Sequence, residues 1–472
     1  MENDKYILGM IGLGTMGSNL VLNMADHGFA VAGYDKDPLK SVQLEKDGQG
    51  KKVKGFADLA DFVGSLAIPR VIIMLVPAGK VVDIVIEELL SLVQPGDIII
   101  DSGNSHFTDT AKRDLALQQK GLHFFGMGIS GGETGARKGP SLMPGGDMAA
   151  YKYVQPVLEA IAAKVGDEPC VTYIGPGASG HYVKMVHNGI EYGVMQLIAD
   201  TYEILRKGLK LSNEQIHEVF VQWNKGRLQS FLLEITCDIF LYKENGSEHL
   251  LLDSIKDQAR SKGTGKWTSQ EAMDVEVPLP GIDMAVAMRD LSKYKSLRIT
   301  MSGIYNEPVN LDQSKEFINQ LEQAFYFSMI MFYAQGMHLL SKASETYSYE
   351  LNLEKINRIW RGGCIIRAAL LEVICKAYNK NASLQHLLLD AEISSLVKEV
   401  IPAVRHVVAS SVTAGVSIPA YAVSLSYFDA FRSENMPSNL IQAQRDYFGA
   451  HTFELIGKDG FFHNEWIVEA KP

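Results

Sequence analysis

The sequence predicts a Rossmann-like α/β domain, then a large all-α domain and a C-terminal tail. Three observations lead to this prediction. Up to residue 175, short apolar runs alternate with helical segments, as buried parallel strands do in βαβ units. The glycine-rich motif GLGTMG directly follows the first apolar run. After residue 178 the pattern changes to long helical segments with few strand-like runs.

The composition is that of a globular protein. The 472 residues are 46% hydrophobic and 21% charged, enough for sizeable cores in two large domains or three. The formal net charge of −10 argues against nucleic-acid or anionic-membrane binding. Four cysteines stand far apart without metal-ligand spacing, which indicates reduced thiols and no metal site. Neither a leader nor a membrane-spanning run is evident, so we expect a cytoplasmic protein.

Five apolar runs predict the strands of the first domain. In chain order they are YILGMIG, FAVAGYD, RVIIMLV, GDIIID and LHFFGMGIS. We expect one mainly parallel sheet with helices between its strands. The change of pattern near Ala178 places the end of this domain, which we predict to cover residues 1–178.

The GLGTMG motif predicts a dinucleotide site. Alone it is a weak signal, but here it joins a strand to a helical pattern, and the second strand ends in Asp35. Its glycines allow a tight turn and let a pyrophosphate approach the helix N-terminus. Two further strand ends, near residues 76–78 and 102–104, fall at the same sheet edge, where ligands bind in open α/β folds. We therefore expect NAD or NADP to contact Gly12, Leu13, Gly14, Thr15, Met16, Gly17, Asp35, Val76, Pro77, Ala78 and Asn104.

The segment KMVHNGIEY, residues 184–192, predicts a helix with an unusual polar face. Its Lys, His, Asn, Glu and Tyr fall at i, i+3, i+4, i+7 and i+8, and hence on one side. Such a face is usually only solvated, but His, Asn and Tyr are mediocre helix formers. Gly189 and Gly193 each cost a helix interior roughly 1 kcal/mol relative to Ala, which suggests a close approach to the backbone. We expect this face to turn towards a cleft, with the opposite face anchored by Met185, Val186, Ile190 and Val194.

Six motifs occur in a fixed order along the chain: GLGTMG, DSGNS, GISGGETGARKGPSLMPGG, KMVHNGIEY, KGTGKW and QAQRDYFGAH. Together they resemble the decarboxylating 6-phosphogluconate dehydrogenases of the 3-hydroxyacid dehydrogenase superfamily. Shorter members of that superfamily lack KGTGKW and the tail, so the later motifs carry the specific resemblance. It implies an all-helical substrate and dimerisation domain over 179–436, and a tail over 437–472 that reaches the partner subunit of a homodimer.

The resemblance implies a reaction and two catalytic residues. The C3 hydroxyl of 6-phosphogluconate is oxidised, the β-keto acid loses carbon dioxide, and the enediol becomes ribulose 5-phosphate. Lys184 matches the general base, which must be neutral when substrate is ready, and desolvation favours a neutral amine. Glu191 matches the general acid that protonates the carbon left by carbon dioxide. Seven residues separate them, about 10 Å of axial rise, so that substrate can lie along this face.

The resemblance also implies a set of substrate contacts. Ser130–Gly132 matches a turn that binds the carboxylate end, and Asn104 matches a residue that touches both cofactor and substrate. A phosphate needs charge-assisted donors, and the matching residues are Tyr192, Lys262, Thr264, Arg289 and Arg445. The full implied set is Asn104, Ser130, Gly131, Gly132, His187, Asn188, Tyr192, Lys262, Thr264 and Arg289, with Arg445 and His451 from the partner's tail.

The segment WRGGCIIR, residues 360–367, also resembles the family but carries no chemical role that we can assign. We expect a helix start with core packing there. Cys364 is not a nucleophile candidate.

The end of the second strand departs from the commoner family pattern. NADP-using members typically carry an Asn-Arg-Thr-like triplet, and the matching residues are Asp35, Lys36 and Asp37. Asp35 can accept hydrogen bonds from the free ribose diol of NAD and would repel a 2′-phosphate. Lys36 lacks the flat fork with which Arg clamps phosphate, and Pro77 stands where many relatives carry Lys. These residues favour NAD over NADP.

Two alternatives stay open. The first is a 3-hydroxyacid dehydrogenase that does not decarboxylate, against which the phosphate set Lys262, Thr264 and Arg289 speaks. The second is a catalytically retired cofactor-binding or scaffolding protein, against which the presence of both Lys184 and Glu191 speaks.

Overall fold

The N-terminal part of the chain folds around one sheet. The structure is a computed structural model, and it describes residues 5–244, 246, 247, 249–309, 311 and 315–466. The strands of this sheet are β1 (Leu8–Ile11), β2 (Val31–Tyr34), β3 (Val53–Phe56), β4 (Val71–Met74), β5 (Ile98–Asp101), β6 (His123–Ser130) and β7 (Ser141–Gly146). Their order is β3-β2-β1-β4-β5-β6-β7. The first six strands pair in parallel, and β7 runs antiparallel to β6.

The five predicted strands correspond to β1, β2, β4, β5 and β6, and the predicted α/β class is confirmed. The other two strands were not predicted. β7 has the sequence SLMPGG, in which one proline and two glycines hide the strand signal. Pro144 pairs with Met127 on this edge strand, a place where proline is tolerated. β3 is only partly buried and gives no apolar run.

Helices cover both faces of this sheet. They are α1 (Thr15–Asp26), α2 (Pro38–Asp47), α3 (Leu59–Gly64), α4 (Lys80–Leu89), α5 (Phe107–Gln118), α6 (Gly132–Lys138) and α7 (Met148–Ile161), followed by the short strands β8 (Lys164–Val165) and β9 (Glu168–Pro169). Successive residues of the central strands serve opposite cores. Ile73 and Ile100 belong to one core, and Ile72 and Ile99 to the other. The sheet is therefore buried on both faces, which explains its continuous apolar runs.

A helical domain follows, built around one long helix, α8 (Ser179–Glu203), which continues into a π-helical turn at Ile204–Gly208. The later helices are α9 (Asn213–Trp223), α10 (Phe231–Ile239), α11 (Leu251–Ser254), α12 (Thr264–Asp274), α13 (Pro280–Ser292), α14 (Lys295–Ile304), α15 (Lys315–Thr346), α16 (Leu353–Ile359), α17 (Leu370–Lys380), α18 (Ala391–Thr413) and α19 (Pro419–Phe431), with a 3₁₀ turn at Leu387–Leu389. α8 packs on β6 and β7 on one side, and on α12, α13 and α15 on others. It therefore joins the sheet to the helical domain.

Two glycines of α8 let neighbouring helices approach closely. A Cβ at Gly189 would lie 2.7 Å from Cγ2 of Thr268 on α12, and a Cβ at Gly193 would lie 2.5 Å from Cδ1 of Phe332 on α15. The hydroxyl of Thr268 also donates to the carbonyl of Met185 at 2.9 Å. The predicted close approach to the backbone is thus made by other helices of the same protein.

The chain divides into two compact units, Met1–Ser424 and Leu425–Pro472. The second contains α20 (Ser438–Gly449) and a hairpin of β10 (Phe453–Leu455) and β11 (Lys458–Phe462). Asp446 ties them together. Its buried carboxylate accepts from the backbone N–H groups of Thr452 and Asn464, and from the side chains of His463 and Trp466.

The predicted division into 1–178, 179–436 and 437–472 stays a prediction. Within the described ranges, no helix is long and apolar enough to cross a membrane.

Candidate active site

A cavity of about 490 Å³ lies at the carboxyl edge of the sheet, lined in part by Gly12, Gly14, Asp35 and Pro77. Gly12 has φ +96°, and a side chain there would meet the carbonyl of Leu75. Gly14 begins α1 without a side-chain cap, and no described atom would lie within 4 Å of a Cβ there. The N-terminus of α1 therefore has no side-chain cap, and the space beside Gly14 is open. This arrangement fits the pyrophosphate of a dinucleotide.

The carboxylate of Asp35 is fixed in the lining of this cavity. It accepts from the N–H of Leu13 at 2.8 Å and of Asp37 at 3.0 Å, and Lys40 lies 3.3 Å away. Burial raises the pKa of Asp35, but these hydrogen bonds and Lys40 outweigh it, so the net shift is downwards. Lys36 pairs with Glu88 at 2.9 Å. Lys40 is a cation beside the cofactor site that the sequence prediction did not include.

Asp37 has a structural task that the sequence prediction also missed. Its side chain caps the N-terminus of α2 by accepting from the N–H of Leu39 at 3.1 Å. A capping carboxylate is stabilised by the helix end, which accounts for an aspartate at this position whatever the cofactor.

Asn104 is exposed on the loop between β5 and α5. A buried network beneath it fixes the loop. The carboxylate of Asp101 accepts from the hydroxyl of Ser105 at 2.6 Å, and the guanidinium of Arg113 lies 3.5 Å away. Arg113 also donates to the carbonyl of Gly79 at 3.1 Å. One side chain thus joins the loops after β4 and β5, which carry the predicted cofactor residues Val76, Pro77, Ala78 and Asn104.

The polar face of α8 is buried rather than solvated. Lys184, His187, Asn188 and Tyr192 are at most 7% exposed, while the side chain of Glu191 keeps 21% of its surface exposed. Burying the first four groups costs stability unless they find partners. The apolar residues that were predicted to anchor the opposite face are buried too: Met185, Val186, Ile190 and Val194.

His187 is the centre of the hydrogen bonds on this face. Its Nδ1 lies 3.4 Å from Nζ of Lys184 and 3.0 Å from Oδ1 of Asn188. Its Nε2 lies 3.0 Å from Oγ of Ser130 and 2.9 Å from Sγ of Cys364. The structure therefore brings together the predicted SGG turn and the predicted helix face.

The ionisable groups of this face are shifted towards their neutral forms. Burial lowers the pKa of Lys184, against the opposing field of Glu191. Burial raises the pKa of Glu191, against the opposing fields of Lys184 and Arg289. Burial and Lys184 lower the pKa of His187 well below its usual value. An amine that can accept a proton and a carboxyl that can donate one thus share one helix, the combination needed for acid–base catalysis.

A cationic corner lies next to Glu191. The guanidinium of Arg289 on α13 sits 3.4 Å from the ring centroid of Tyr192. Gly265 of the KGTGKW motif packs on the same ring, because a Cβ there would lie 2.5 Å from Cδ2. Thr264 is the buried first residue of α12, and Lys262 is exposed just before it. Two of the four predicted phosphate contacts in this unit, Tyr192 and Arg289, are therefore in contact, and the KGTGKW motif packs on the same ring through Gly265.

The predicted helix start at residues 360–367 is wrong. α16 ends at Ile359 and α17 begins at Leu370, so the segment is a turn between them. The predicted core packing does hold, since Trp360, Cys364 and Ile366 are buried. Sequence analysis missed the contacts of this turn with Ser130 and His187. The pair Gly362-Gly363 was the one local signal for a turn.

Arg445 and His451 belong to the second unit. Arg445 is exposed and donates to Oε1 of Gln442 at 3.1 Å. His451 is exposed too, with its ring 5.9 Å from that of Phe448. Their role in a partner's active site stays a prediction. In the described part of the chain, no group of three or more His, Cys, Asp or Glu residues could hold a metal ion.

A dinucleotide-binding sheet joined to a helix with a buried lysine and carboxyl group defines a nicotinamide-dependent dehydrogenase. Residues 7–175 match the family model described as the NAD binding domain of 6-phosphogluconate dehydrogenase, and residues 180–466 match the model of its C-terminal domain. The chain belongs to the 6-phosphogluconate dehydrogenase family, as its motifs predicted.

Relatives match over nearly the full length. The NADP(+)-dependent, decarboxylating 6-phosphogluconate dehydrogenase of Bacillus subtilis is 47% identical, covering 98% of this chain and 99% of that protein. The decarboxylating enzyme of Synechococcus elongatus is 49% identical, over 97% and 99%. The structure of Plasmodium falciparum 6-phosphogluconate dehydrogenase superposes with a TM-score of 0.95 at 42% identity, covering 98% of this chain and 100% of that chain. That enzyme is known in its apo form, in complex with its cofactor NADP+ and in complex with its substrate 6-phosphogluconate. The chain is therefore an oxidoreductase with a nicotinamide dinucleotide cofactor.

Proposed function

We propose that this protein converts 6-phosphogluconate to ribulose 5-phosphate and carbon dioxide while reducing NAD(P). The observation that carries the proposal is the pair Lys184 and Glu191 on α8, whose pKa values are shifted by burial towards a neutral amine and a neutral carboxyl group. The family relationship supplies the substrate. The two alternatives, a dehydrogenase that does not decarboxylate and a retired scaffold, are not favoured by relatives that are named decarboxylating enzymes.

Lys184 starts the reaction. Its neutral amine takes the proton of the C3 hydroxyl, while a nicotinamide cofactor held at the GLGTMG turn would supply the acceptor for the hydride from C3. The ammonium that results donates a hydrogen bond to the new ketone oxygen. When the bond between C1 and C2 breaks and carbon dioxide leaves, the electron pair moves towards that oxygen, and the ammonium stabilises the enolate. A lysine thereby supplies the electrophile that a metal ion supplies in other β-decarboxylases.

Glu191 completes the reaction by protonating C2, the carbon that carbon dioxide has left. Its raised pKa keeps a protonated fraction at higher pH than for an ordinary glutamate. About 10 Å of axial rise separates it from Lys184, and its side chain keeps 21% of its surface exposed, whereas Lys184 is buried. Substrate carbons lie between the two groups.

The remaining polar groups hold the substrate at its two ends. Ser130, Gly131 and Gly132 bind the carboxylate end, and His187 and Asn188 bind hydroxyl groups. Asn104 lies between cofactor and substrate. The phosphate sits at the cationic corner, where Arg289 and Lys262 supply charge and Tyr192 and Thr264 supply hydroxyl donors. Two subunits share each site in a homodimer, and the partner's tail contributes Arg445 and His451. The cytoplasmic location stays a prediction.

NAD is the preferred cofactor in this proposal. The carboxylate of Asp35 is held by the N–H groups of Leu13 and Asp37, so that it cannot turn away from a ribose bound beside it. A free diol donates hydrogen bonds to it, and a 2′-phosphate is repelled. Lys36 is paired with Glu88, which weakens its pull on a phosphate.

The test is direct. The purified protein is incubated with 6-phosphogluconate and each nicotinamide cofactor in turn, and reduced cofactor and released carbon dioxide are measured together. One carbon dioxide per reduced cofactor is expected. Reduced cofactor without carbon dioxide would indicate the first alternative, and neither product would indicate the second.

A further inference from the structure

The turn between α16 and α17 closes one side of the buried site. Cys364 places its thiol 2.9 Å from Nε2 of His187, and the backbone N–H of Ile365 donates to Oγ of Ser130 at 3.1 Å. The Trp360 ring meets the His187 ring edge-on, with centroids 5.6 Å apart. Three neighbouring residues of one turn therefore contact two residues of the proposed substrate site.

The backbone of this turn is locked to the SGG turn. Gly363 has φ +59°, and a Cβ there would lie 2.4 Å from the carbonyl oxygen of Gly139. Its own carbonyl accepts from the N–H of Ser141 at 2.9 Å. That carbonyl also fills the space beside Gly131, where a Cβ would lie 2.6 Å from it. Only glycine fits at position 363, and a shift of the turn would move Ser130 with it.

The hydrogen bonds of His187 indicate which ring nitrogen carries the proton. Oδ1 of Asn188 is an acceptor, so Nδ1–H donates to it at 3.0 Å. Nε2 is then an acceptor and needs a donor. Ile365 N–H occupies a lone pair of the Ser130 oxygen, which leaves the Ser130 O–H free to donate. Burial raises the pKa of Cys364 to about 12, so this residue is a thiol and can donate as well.

This tautomer matters for the base. The titratable groups that face Lys184 are His187 and Glu191 on α8, and Cys364 on the turn. A thiol brings no charge. With its proton on Nδ1, the His187 ring offers no acceptor to the amine 3.4 Å away, whereas the other tautomer would offer a lone pair that stabilises the ammonium. The first tautomer therefore favours neutral Lys184.

We propose that the turn from Trp360 to Ile365 is a positioning element of the active site. Through Cys364 and the N–H of Ile365, it holds Ser130 and His187 so that Nδ1 of His187 keeps its proton and Lys184 stays neutral. Cys364 is a positioning residue, not a catalytic one. The inference rests on the proposed role of Lys184 as the base.

The test compares three variants by the pH dependence of kcat/KM. Cys364→Val removes the donor at similar volume, Cys364→Ser keeps a donor, and Cys375→Val changes a buried thiol on α17, outside the site. For Cys364→Val, the rising limb should move to higher pH by roughly half a unit, about threefold in the neutral fraction of Lys184. Cys364→Ser and Cys375→Val should leave the limb in place. If the rising limb of the pH profile is unchanged in Cys364→Val, with activity lowered equally at every pH or not at all, the turn only packs against the site and the proposal is wrong.

A second measurement does not depend on activity. In protein labelled with ¹⁵N-histidine, the His187 signals, assigned by their loss in His187→Asn, should report a protonated Nδ1 and an unprotonated Nε2. The reverse assignment would overturn the proposal. Failure of the proposed role of Lys184 would look different, because Lys184→Met would then retain turnover while the His187 tautomer stayed as described.

Discussion

Nζ of Lys184 lies 3.4 Å from Nδ1 of His187, one turn further along α8. Both side chains are buried, and burial lowers the pKa of each. Burial therefore disfavours the cationic form of both groups. A buried cationic pair would be costly, and a neutral amine is what a general base requires.

Replacing Lys184 by Met should abolish oxidation while leaving cofactor binding intact. Methionine fills a similar volume, and only the proton acceptor is lost. General acid–base groups typically contribute ~10²–10⁴-fold in rate, so turnover should fall by at least about 100-fold. Steady-state turnover and cofactor binding by fluorescence are measured, with Lys152→Met, an exposed lysine of α7, as the matched control. Retention of more than about a tenth of the parent's turnover would rule out this base.

The dependence of kcat/KM on pH should show that the pKa of Lys184 is lowered. The neutral amine is the active form, so kcat/KM should rise with pH and level off above the pKa of Lys184. Burial lowers this pKa from the ordinary lysine value of 10.5, and the rising limb should therefore have its midpoint below that value. The profile is measured at constant ionic strength over the range in which the fold is stable. A midpoint at or above the value of free lysine would contradict the buried site.

Glu191→Gln should damage a later step than Lys184→Met. Glutamine keeps the shape of the side chain but cannot donate the proton that C2 needs. The first turnover of cofactor reduction should survive better than steady-state formation of ribulose 5-phosphate. Rapid mixing separates the two, and solvent deuterium appearing at the former C2 reports the protonation. If both rates fell by the same factor, Glu191 would not be the acid of the later step.

Two inactive variants should restore each other if the tail completes the partner's site. An Arg445→Ala subunit lacks a phosphate ligand for its partner, and a Lys184→Met subunit lacks its own base. In a hybrid dimer, one of the two sites receives an intact base and an intact tail. Mixing equal amounts under exchange conditions should regain about a quarter of the parent's activity, since half of the dimers are hybrids and each has one good site. No recovery, with exchange verified by mass-labelled subunits, would count against a shared site.

The parts of the structure that follow local rules could be predicted from the sequence. The strands β1, β4 and β5 are continuous apolar runs because helices cover both faces of the sheet. The spacing of residues 184–192 predicted that five polar side chains share one helix face, and His187 contacts Lys184, Asn188 and Glu191 there. The function of this face stays a prediction. In both cases, the signal lies within one element.

The rest depends on contacts between distant segments. His187 and Cys364 are 177 residues apart, and no periodicity in either segment predicts that they are in contact. β7 is held by its pairing with β6 although its own residues favour a turn. Lys40 matters because α2 brings it to Asp35, and a charge on a helix surface is otherwise unremarkable. Tertiary packing decides all three.

The contacts of Asp35, Lys36 and Lys40 lead to a prediction of the preferred cofactor. Asp35 is anchored by Leu13 and Asp37 in the lining of the cavity, and a second carboxylate, Asp37, stands at the start of α2. Lys36 and Lys40 oppose them, but each is already paired, with Glu88 and with Asp35. Because two backbone N–H groups hold Asp35 in the lining of the cavity and Glu88 engages Lys36, we expect kcat/KM for NAD to exceed that for NADP at fixed ionic strength. Replacing Asp35-Lys36-Asp37 with Asn-Arg-Thr should swing the ratio towards NADP, because Arg can hold the 2′-phosphate with its fork.

Lys40→Met separates the contributions of Lys40 and Asp35 to cofactor preference. It should lower NADP use more than NAD use if this amine reaches the phosphate. A parent ratio well below one, lost in Lys40→Met, would show that the lysines and not Asp35 control the pocket, and the preference for NAD would then be wrong.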